Sequence, residues 1–384
     1  MWAFFCMIYS RLSISLFFFL HGLCFASWGG RIPDISAFHH LSEGELGTLL
    51  LMLPVGSILS MPIASFLTSH FGSKIVLSVA VPLYASALVL VGFAPTLPLL
   101  VASLILFGLV SNHVNVSLNT QAIKLESEYQ RPIMASLHGL WSLAGFVGAG
   151  LGGVMIKFKM LPYEHFMFVA VLSYLMTAFM CRHLIVDSGK KTSGQKFSFK
   201  LPSKEVAILG VIAFLSMLCE GAMFDWAGVY FKKVLHIEGA MMTAGYVAFM
   251  STMAGTRFVA DFVKEKIGFR KVLLLSGLLV FSGLMIATGF NNLMSCIIGF
   301  LMVGGGVSSV VPLTFSESGR VSPENPSGTV AVISTIGFLG FLFGPPAIGW
   351  IAEISSLRFS FFLVGVMGLV MGMSYLFLPK RKGQ

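Results

Sequence analysis

Two long stretches without a charged side chain limit what this chain can fold into. Residues 75–123 and residues 272–316 contain no Lys, Arg, Asp or Glu. A helix needs about 20 mainly apolar residues to cross a bilayer, so each stretch is long enough for two crossings. Turn residues divide both stretches, around Pro95 in the first and around Asn291 in the second. The pattern therefore predicts pairs of membrane-spanning helices joined by short turns.

The composition argues against a soluble globular enzyme. Of the 384 residues, 56% are hydrophobic and 11% are charged, whereas roughly a quarter of the residues are charged in soluble domains. Too few polar side chains are present to cover the surface of a soluble protein of this size. Apolar and polar residues do not alternate along the chain, which argues against a membrane β-barrel. A polytopic helical membrane protein remains.

The apolar segments predict an all-α membrane protein with twelve transmembrane helices in two six-helix bundles. The first apolar core, Leu12 to Ala26, is like that of a signal peptide, but eleven further spans favour its retention as a helix. A polar segment separates six spans from six. We expect an N-terminal bundle at 1–186, a cytoplasmic linker at 187–204 and a C-terminal bundle at 205–384. The predicted spans are 12–30, 46–67, 75–93, 98–122, 133–156, 164–183, 205–230, 239–257, 272–290, 293–314, 328–352 and 359–379.

The positions of lysine and arginine predict the orientation. If both termini are cytoplasmic, nineteen of the 25 basic residues lie on the cytoplasmic side and six on the outer side. Cytoplasmic loops of membrane proteins are enriched in positive charge. We therefore expect a multi-pass protein of the inner (plasma) membrane with both termini in the cytoplasm. As a separate expectation, the protein is a monomer. The net charge of +9 is dispersed over short loops, so it does not indicate a nucleic-acid partner.

The two halves of the chain repeat a pattern. The loop after span two, residues 65–74, and the loop after span eight, residues 257–271, both contain a glycine and basic residues before the next apolar helix. Spans five and eleven are both rich in glycine. Repeats of this kind are typical of secondary transporters, whose ligand binds at the repeat interface near the middle of the bilayer.

With twelve spans, a central loop and the loop motif in both halves, the chain resembles the major facilitator superfamily over nearly its whole length. The first loop departs from the family signature, with Ser69 where an acidic residue is expected. The strings at 27–35, 220–226 and 344–353 are similar to the fucose-permease-like branch. The resemblance implies the major facilitator fold and alternating access, with spans one, four, seven and ten lining the cavity.

The second loop keeps the family signature and is predicted to form a cytoplasmic charge network. The resemblance implies that this network breaks as one half of the transporter moves against the other. The residues assigned to this gating role are Arg257, Asp261, Arg270 and Lys271.

Two acidic residues lie inside a predicted span. Glu220 is near the middle of span seven, and Asp225 is about a turn and a half closer to the outside. A charge in hydrocarbon is costly, so such residues usually face a cavity, and many relay protons. Burial favours the neutral carboxyl, which then exchanges a proton more readily. We predict proton coupling through Glu220, with Asp225 as a second candidate; alternatively, each acid is held by a polar neighbour and stabilises the bundle.

Polar and aromatic side chains on spans one, four and seven predict a ligand groove. Amides that face lipid would lack hydrogen-bond partners, so this set should face protein or water. Asn side chains suit hydroxyl groups, whereas the alternative is hydrogen bonding between helices. The predicted substrate-binding residues are His21, Phe25, Trp28, Asn112, Asn115, Asn119 and Trp226.

The distribution of basic residues limits the class of substrate that the protein can transport. No Lys or Arg lies in the central part of a predicted span, and an anionic substrate normally needs a cationic partner. We expect a secondary transporter for a small, neutral, sugar-like solute, coupled to protons or else to sodium. The alternatives are an exporter of drugs or metabolites by proton antiport, and a membrane sensor that does not transport.

The sequence offers little for catalysis. The only cluster with metal-binding residue types, His39 and His40 with Glu43 and Glu45, lacks the H-E-x-x-H spacing. A nucleotide-binding loop of the G-x-x-x-x-G-K-[ST] type does not occur. We therefore expect neither an enzyme nor an ATP-driven pump, and no cofactor or metal.

Overall fold

The computed structural model describes residues 2–129, 133–186, 203–290, 292–321 and 326–378. Within these ranges the elements are fourteen α-helices and three short 3-10 helices, without a β-strand. Most of the predicted linker, residues 187–202, lies outside them. The α-helices are α1 (Trp2–Phe38), α2 (Glu43–Leu50), α3 (Met52–Phe71), α4 (Ser73–Phe93), α5 (Leu97–Tyr129), α6 (Met134–Lys157), α7 (Pro162–Met180), α8 (Lys204–Lys233), α9 (Ala244–Ile267), α10 (Phe269–Phe290), α11 (Leu293–Val307), α12 (Val310–Val321), α13 (Pro326–Ile354) and α14 (Leu357–Met373).

Eleven helical segments in the described part of the chain are long and apolar enough to cross a membrane. Each coincides with one of the twelve predicted spans. The remaining span, predicted at 239–257, falls on α9, which continues to Ile267 and has charged residues in its last turns. The uncharged part of α9, residues 244–256, also contains two glycines, one serine and two threonines, which lower its mean hydropathy. The prediction of a crossing at α9 stays a prediction.

The chain divides into two compact units. Unit 1 comprises Met1–His39 and Met52–Phe197, and unit 2 comprises His40–Leu51 and Ser198–Gln384. The sequence-based bounds assign residues 40–51 to the N-terminal bundle, whereas their packing assigns them to unit 2.

Helix α2 belongs to unit 2 because it packs on α13. A Cβ atom added to Gly47 would lie 3.0 Å from the Cα of Gly349, so the two backbones approach closely. The indole of Trp350 donates a hydrogen bond to Thr48 Oγ1 at 3.1 Å. Close packing and a side-chain hydrogen bond thus hold this short helix on α13.

Small residues bring α3 and α5 together in unit 1. A Cβ atom on Gly108 would lie 1.9 Å from the carbonyl oxygen of Leu53, and one on Gly56 would lie 2.0 Å from that of Ile105. The hydroxyl of Ser57 donates a hydrogen bond to Gly108 O at 2.9 Å. Helices in membranes associate largely through such close contacts between small residues.

We predict that Gly108→Ala destabilises unit 1, because the new methyl group would force α5 away from the backbone of α3. Overpacking of this kind costs about 1–3 kcal/mol, which a thermal unfolding curve of the purified protein in detergent would detect. Gly150→Ala on α6 is the matched control, because a Cβ atom there meets no atom within 4 Å. Equal melting temperatures for the two variants would contradict the prediction.

Candidate functional site

Helix α8 brings both predicted acids into the interior of unit 2. It packs against α12, α13 and α14. Glu220 is 9% exposed, and Asp225 is half-buried. Because its surroundings are mostly apolar, each carboxylate needs a partner, a proton or water to compensate its charge.

An ion pair joins Glu220 on α8 to Arg257 on α9. Glu220 Oε1 lies 3.6 Å from Arg257 Nη2, and the side chains are 11% and 22% exposed. The guanidinium is also tied to the backbone, since Arg257 Nε donates a hydrogen bond to Ser308 O at 3.2 Å. The sequence prediction placed Arg257 at the end of span eight, but α9 continues to Ile267. Arg257 therefore lies well inside a helix, where it compensates the charge of Glu220.

Asp225 and Tyr246 extend this polar cluster. In the described part of the chain, the carboxylate of Asp225 has no ion pair or hydrogen bond. Tyr246 is 1% exposed, and its hydroxyl also lacks a hydrogen-bond partner there. The tyrosine interacts electrostatically with both Asp225 and Glu220, and its ring packs edge-on against Phe224 at 5.9 Å. Unit 2 thus contains two polar groups that are available to a ligand or a proton.

Trp226 has a packing role in this structure. Its side chain is fully buried, and its indole nitrogen donates a hydrogen bond to Pro345 O at 3.2 Å. The contact joins α8 to α13 within unit 2.

The predicted aromatic residues of α1 pack within unit 1. His21 Nε2 lies 3.0 Å from Ser111 Oγ, and its ring centroid is 5.3 Å from that of Tyr84. Phe25 is half-buried, with its ring 5.8 Å from that of Trp141. Trp28 is 2% exposed. His21 and Phe25 therefore keep some exposed surface, whereas Trp28 is part of the core.

The asparagine stripe on α5 divides into two parts. Asn112 is buried and donates to Ser60 Oγ at 2.9 Å, which links α5 to α3. Asn115 is exposed, and its Oδ1 accepts a hydrogen bond from Asn119 Nδ2 at 2.9 Å. The amide nitrogen of Asn115 and the amide oxygen of Asn119 have no partner among the described residues. The amide nitrogen of Asn115 can donate a hydrogen bond to an acceptor of a solute, and the amide oxygen of Asn119 can accept one from a donor.

The structure describes the side chains of three of the four predicted gating residues. Arg257 pairs with Glu220 as described above. Arg270 Nη2 donates a hydrogen bond to Leu378 O at 2.8 Å, and Lys271 is exposed. The side chain of Asp261 lies outside the described part of the structure.

A second charge cluster, which the sequence analysis did not single out, joins α9 to α12. Glu317 Oε1 lies 3.2 Å from Lys264 Nζ and 3.1 Å from Arg320 Nη1. The carboxylate is 11% exposed. Its position between two cations is consistent with the pairing that buried charges require. The sequence feature that could have indicated this cluster is the acidic Glu317 three residues before the basic Arg320, directly after predicted span ten.

The described residues contain no group of three or more His, Cys, Asp or Glu side chains that could hold an ion.

The apolar helices and the buried ionisable groups define a multi-pass membrane protein. The family model of the Major Facilitator Superfamily matches residues 14–336 and 248–384, and the chain belongs to this superfamily of transporters.

Relatives of similar length support the assignment. An uncharacterised MFS-type transporter of Yersinia pestis is 33% identical over 96% of this chain and 95% of its own length. An uncharacterised transporter of Sinorhizobium fredii is 30% identical over 91% and 93%. The membrane protein MosC of Rhizobium meliloti is 29% identical over 97% and 91%.

Solved structures show the same fold. The nucleoside transporter NupG superimposes with a TM-score of 0.76 over 97% of this chain and 99% of its own, at 11% identity. The human organic anion transporter MFSD10 gives a TM-score of 0.66 over 96% and 99%, at 13% identity.

We predict that Arg257→Gln lowers the stability of unit 2, because it leaves a carboxylate in an apolar environment without its cation. The expected loss is on the order of 2 kcal/mol, given the partial exposure of both groups. Glu220→Gln combined with Arg257→Gln should recover part of this loss, because neither charge then remains. Thermal unfolding in detergent measures both, with Lys271→Gln as the exposed control. An unchanged melting temperature for Arg257→Gln would rule out a stabilising pair.

Proposed function

We propose that this protein is a proton-coupled secondary transporter that moves a small, polar, sugar-like solute by alternating access. The observation that supports this most directly is the Glu220–Arg257 ion pair between two helices of unit 2. Charged groups in an apolar bundle are costly. Protonation of Glu220 would break the ion pair, so the protonated and deprotonated forms of the helix bundle would differ in energy.

The proposed coupling step takes place at Glu220. A proton on its carboxylate removes the negative charge that compensates Arg257, and the guanidinium then interacts more strongly with other acceptors. One such acceptor is Ser308 O, which Arg257 already contacts. Asp225 provides a second carboxylate on the same helix, about a turn and a half away. Proton binding at either residue would shift the balance between the two states of unit 2.

The proposed substrate is neutral and rich in hydroxyl groups. The unpaired amide groups of Asn115 and Asn119 suit hydroxyl donors and acceptors. Arg31 and Arg257 are each paired with a carboxylate, Asp34 and Glu220, so neither is a free cation for an anionic solute. The structural similarity to a nucleoside transporter supports a solute with a ribose-like or sugar-like part.

The proposed topology has twelve crossings, with α9 as the eighth. The protein lies in the inner membrane, and both of its termini are in the cytoplasm. The charge distribution of the loops supports the orientation. We also propose that the protein is a monomer and belongs to the fucose-permease-like branch, for which the strings at 27–35, 220–226 and 344–353 are the support.

We predict that Glu220→Gln abolishes accumulation against a gradient but not exchange. Glutamine cannot carry the proton, whereas the solute site remains. Proteoliposomes under an imposed pH gradient measure accumulation of a panel of sugars and nucleosides, and counterflow without the gradient measures exchange. Glu205→Gln, near the beginning of the same helix, is the control and should behave as wild type. Undiminished accumulation by Glu220→Gln would refute the coupling role. If the wild-type protein moves solute only in the direction opposite to the proton gradient, the protein is an exporter.

We predict different effects for two asparagines of α5. Asn115→Ala should raise the KM for the transported solute roughly five-fold without changing the melting temperature, because one hydrogen bond contributes about 1 kcal/mol. Asn112→Ala should lower the melting temperature, since it breaks the buried bond to Ser60. Transport assays and thermal unfolding of both variants check this. If Asn115→Ala destabilises the protein and leaves KM unchanged, this residue is structural.

A further inference from the structure

Unit 1 contains a cavity that the proposed transport function does not use. It has a volume of about 580 Å³, within the roughly 300–1,000 Å³ that is usual for ligand sites. Its walls are the end of α1 at 31–39, the α4–α5 turn at 91–95 and the α6–α7 turn at 156–163. All three segments belong to unit 1.

The rim of the cavity is apolar and exposed. Phe38 is 66% exposed, Phe93 is 65% exposed and Leu161 is 54% exposed. In a membrane protein, side chains of this kind at the end of a bundle contact the acyl chains and the glycerol region of lipids. The rim therefore suits the apolar part of an amphiphile.

The cavity also contains a buried cation. Arg31 is 2% exposed and donates hydrogen bonds to Asp34 at 2.8 Å, to Met160 O at 2.9 Å and to His165 Nδ1 at 3.3 Å. A guanidinium has five N–H groups, so two of them are left without a partner among the described residues. Asp34 compensates the charge of Arg31, but donors remain for an additional acceptor.

Lys159 provides the uncompensated charge. It lines the cavity, it is exposed, and its ammonium group has no partner in the part of the chain that the structure describes. With Arg31 and Asp34 neutralising one another, the lining carries a net positive charge. An anionic group is the complementary ligand.

The backbone conformation at Lys159 favours glycine over lysine. Its φ is +56°, and Met160 N donates to Met155 O at 3.0 Å, which is the hydrogen bond that closes a helix end in a Schellman motif. Glycine is the common residue at this left-handed position, because a Cβ atom is disfavoured there. The turn thus carries a lysine where glycine would be less strained, which makes Lys159→Gly a clean test of the side chain.

We propose that this cavity binds the headgroup of an anionic phospholipid, with the phosphate between Lys159 and Arg31 and an acyl chain across Phe38 and Phe93. A soluble anion would leave the apolar rim unused. A zwitterionic lipid would gain less, because the carboxylate that its cation would need, Asp34, is already paired with Arg31.

The test is lipid retention by the full chain, purified in detergent with added phosphatidylglycerol or phosphatidylcholine and measured by native mass spectrometry. Wild type should retain phosphatidylglycerol in preference to phosphatidylcholine. Lys159→Gly should lower the retained phosphatidylglycerol about five-fold, while its melting temperature without lipid stays the same or rises because the strain is relieved. Lys157→Ala is the matched control, since this exposed lysine on the same helix end does not line the cavity.

Three results would overturn the proposal. The first is retention of phosphatidylglycerol by Lys159→Gly at the level of wild type, and the second is equal retention of the two lipids by wild type. Displacement of the lipid by millimolar inorganic phosphate or glycerol phosphate would instead identify a site for a soluble anion.

Discussion

A carboxylate among apolar helices persists only if something compensates its charge, and in unit 2 Arg257 does this for Glu220. The cost of an isolated charge in hydrocarbon is several kcal/mol, which exceeds what a single packing contact returns. Helix α9 brings Arg257 to within 3.6 Å of the carboxylate, so the ion pair contributes to the packing of α9 against α8. The same pair is the group that a proton would disrupt, so one interaction connects the stability of the unit with its proposed coupling.

In unit 1, too, the buried polar side chains of Arg31 and Gln121 have partners, and this holds for the neutral group as well as for the charged one. Arg31 is almost fully buried and is held by a carboxylate, a carbonyl oxygen and an imidazole. The buried amide of Gln121 donates to Ser73 Oγ and to Ile185 O, and accepts a hydrogen bond from Ile185 N. Polar residues that are fully satisfied in this way add specificity to helix packing, whereas those with unsatisfied atoms, such as Asn115 and Asn119, remain available for a ligand.

The apolar periodicity of the sequence predicted most of the fold, and it did so because hydrocarbon imposes a length and a composition on every crossing. Eleven of the predicted spans coincide with apolar helices. The end of α9 could not be predicted in this way, because Arg257 and Lys264 find their acidic partners, Glu220 and Glu317, on other helices only after the chain has folded. The asparagine stripe shows the same limit: spacing placed three asparagines on one side of α5. Only the position of Ser60 on α3 determines that Asn112 bonds to a neighbouring helix, whereas Asn115 accepts its hydrogen bond from Asn119 on α5 itself.

Helix α2 has a consequence for any attempt to dissect this protein. Its sequence neighbours α1 and α3 belong to unit 1, yet its polar contacts are with unit 2: Gly44 N–H donates to Glu353, and Glu43 pairs with Lys233 at 2.9 Å. A fragment that starts after the central linker would therefore lack a helix of its own core and expose the glycine and proline surface of α13. Truncation at the linker, the obvious place to cut, does not yield two self-contained halves.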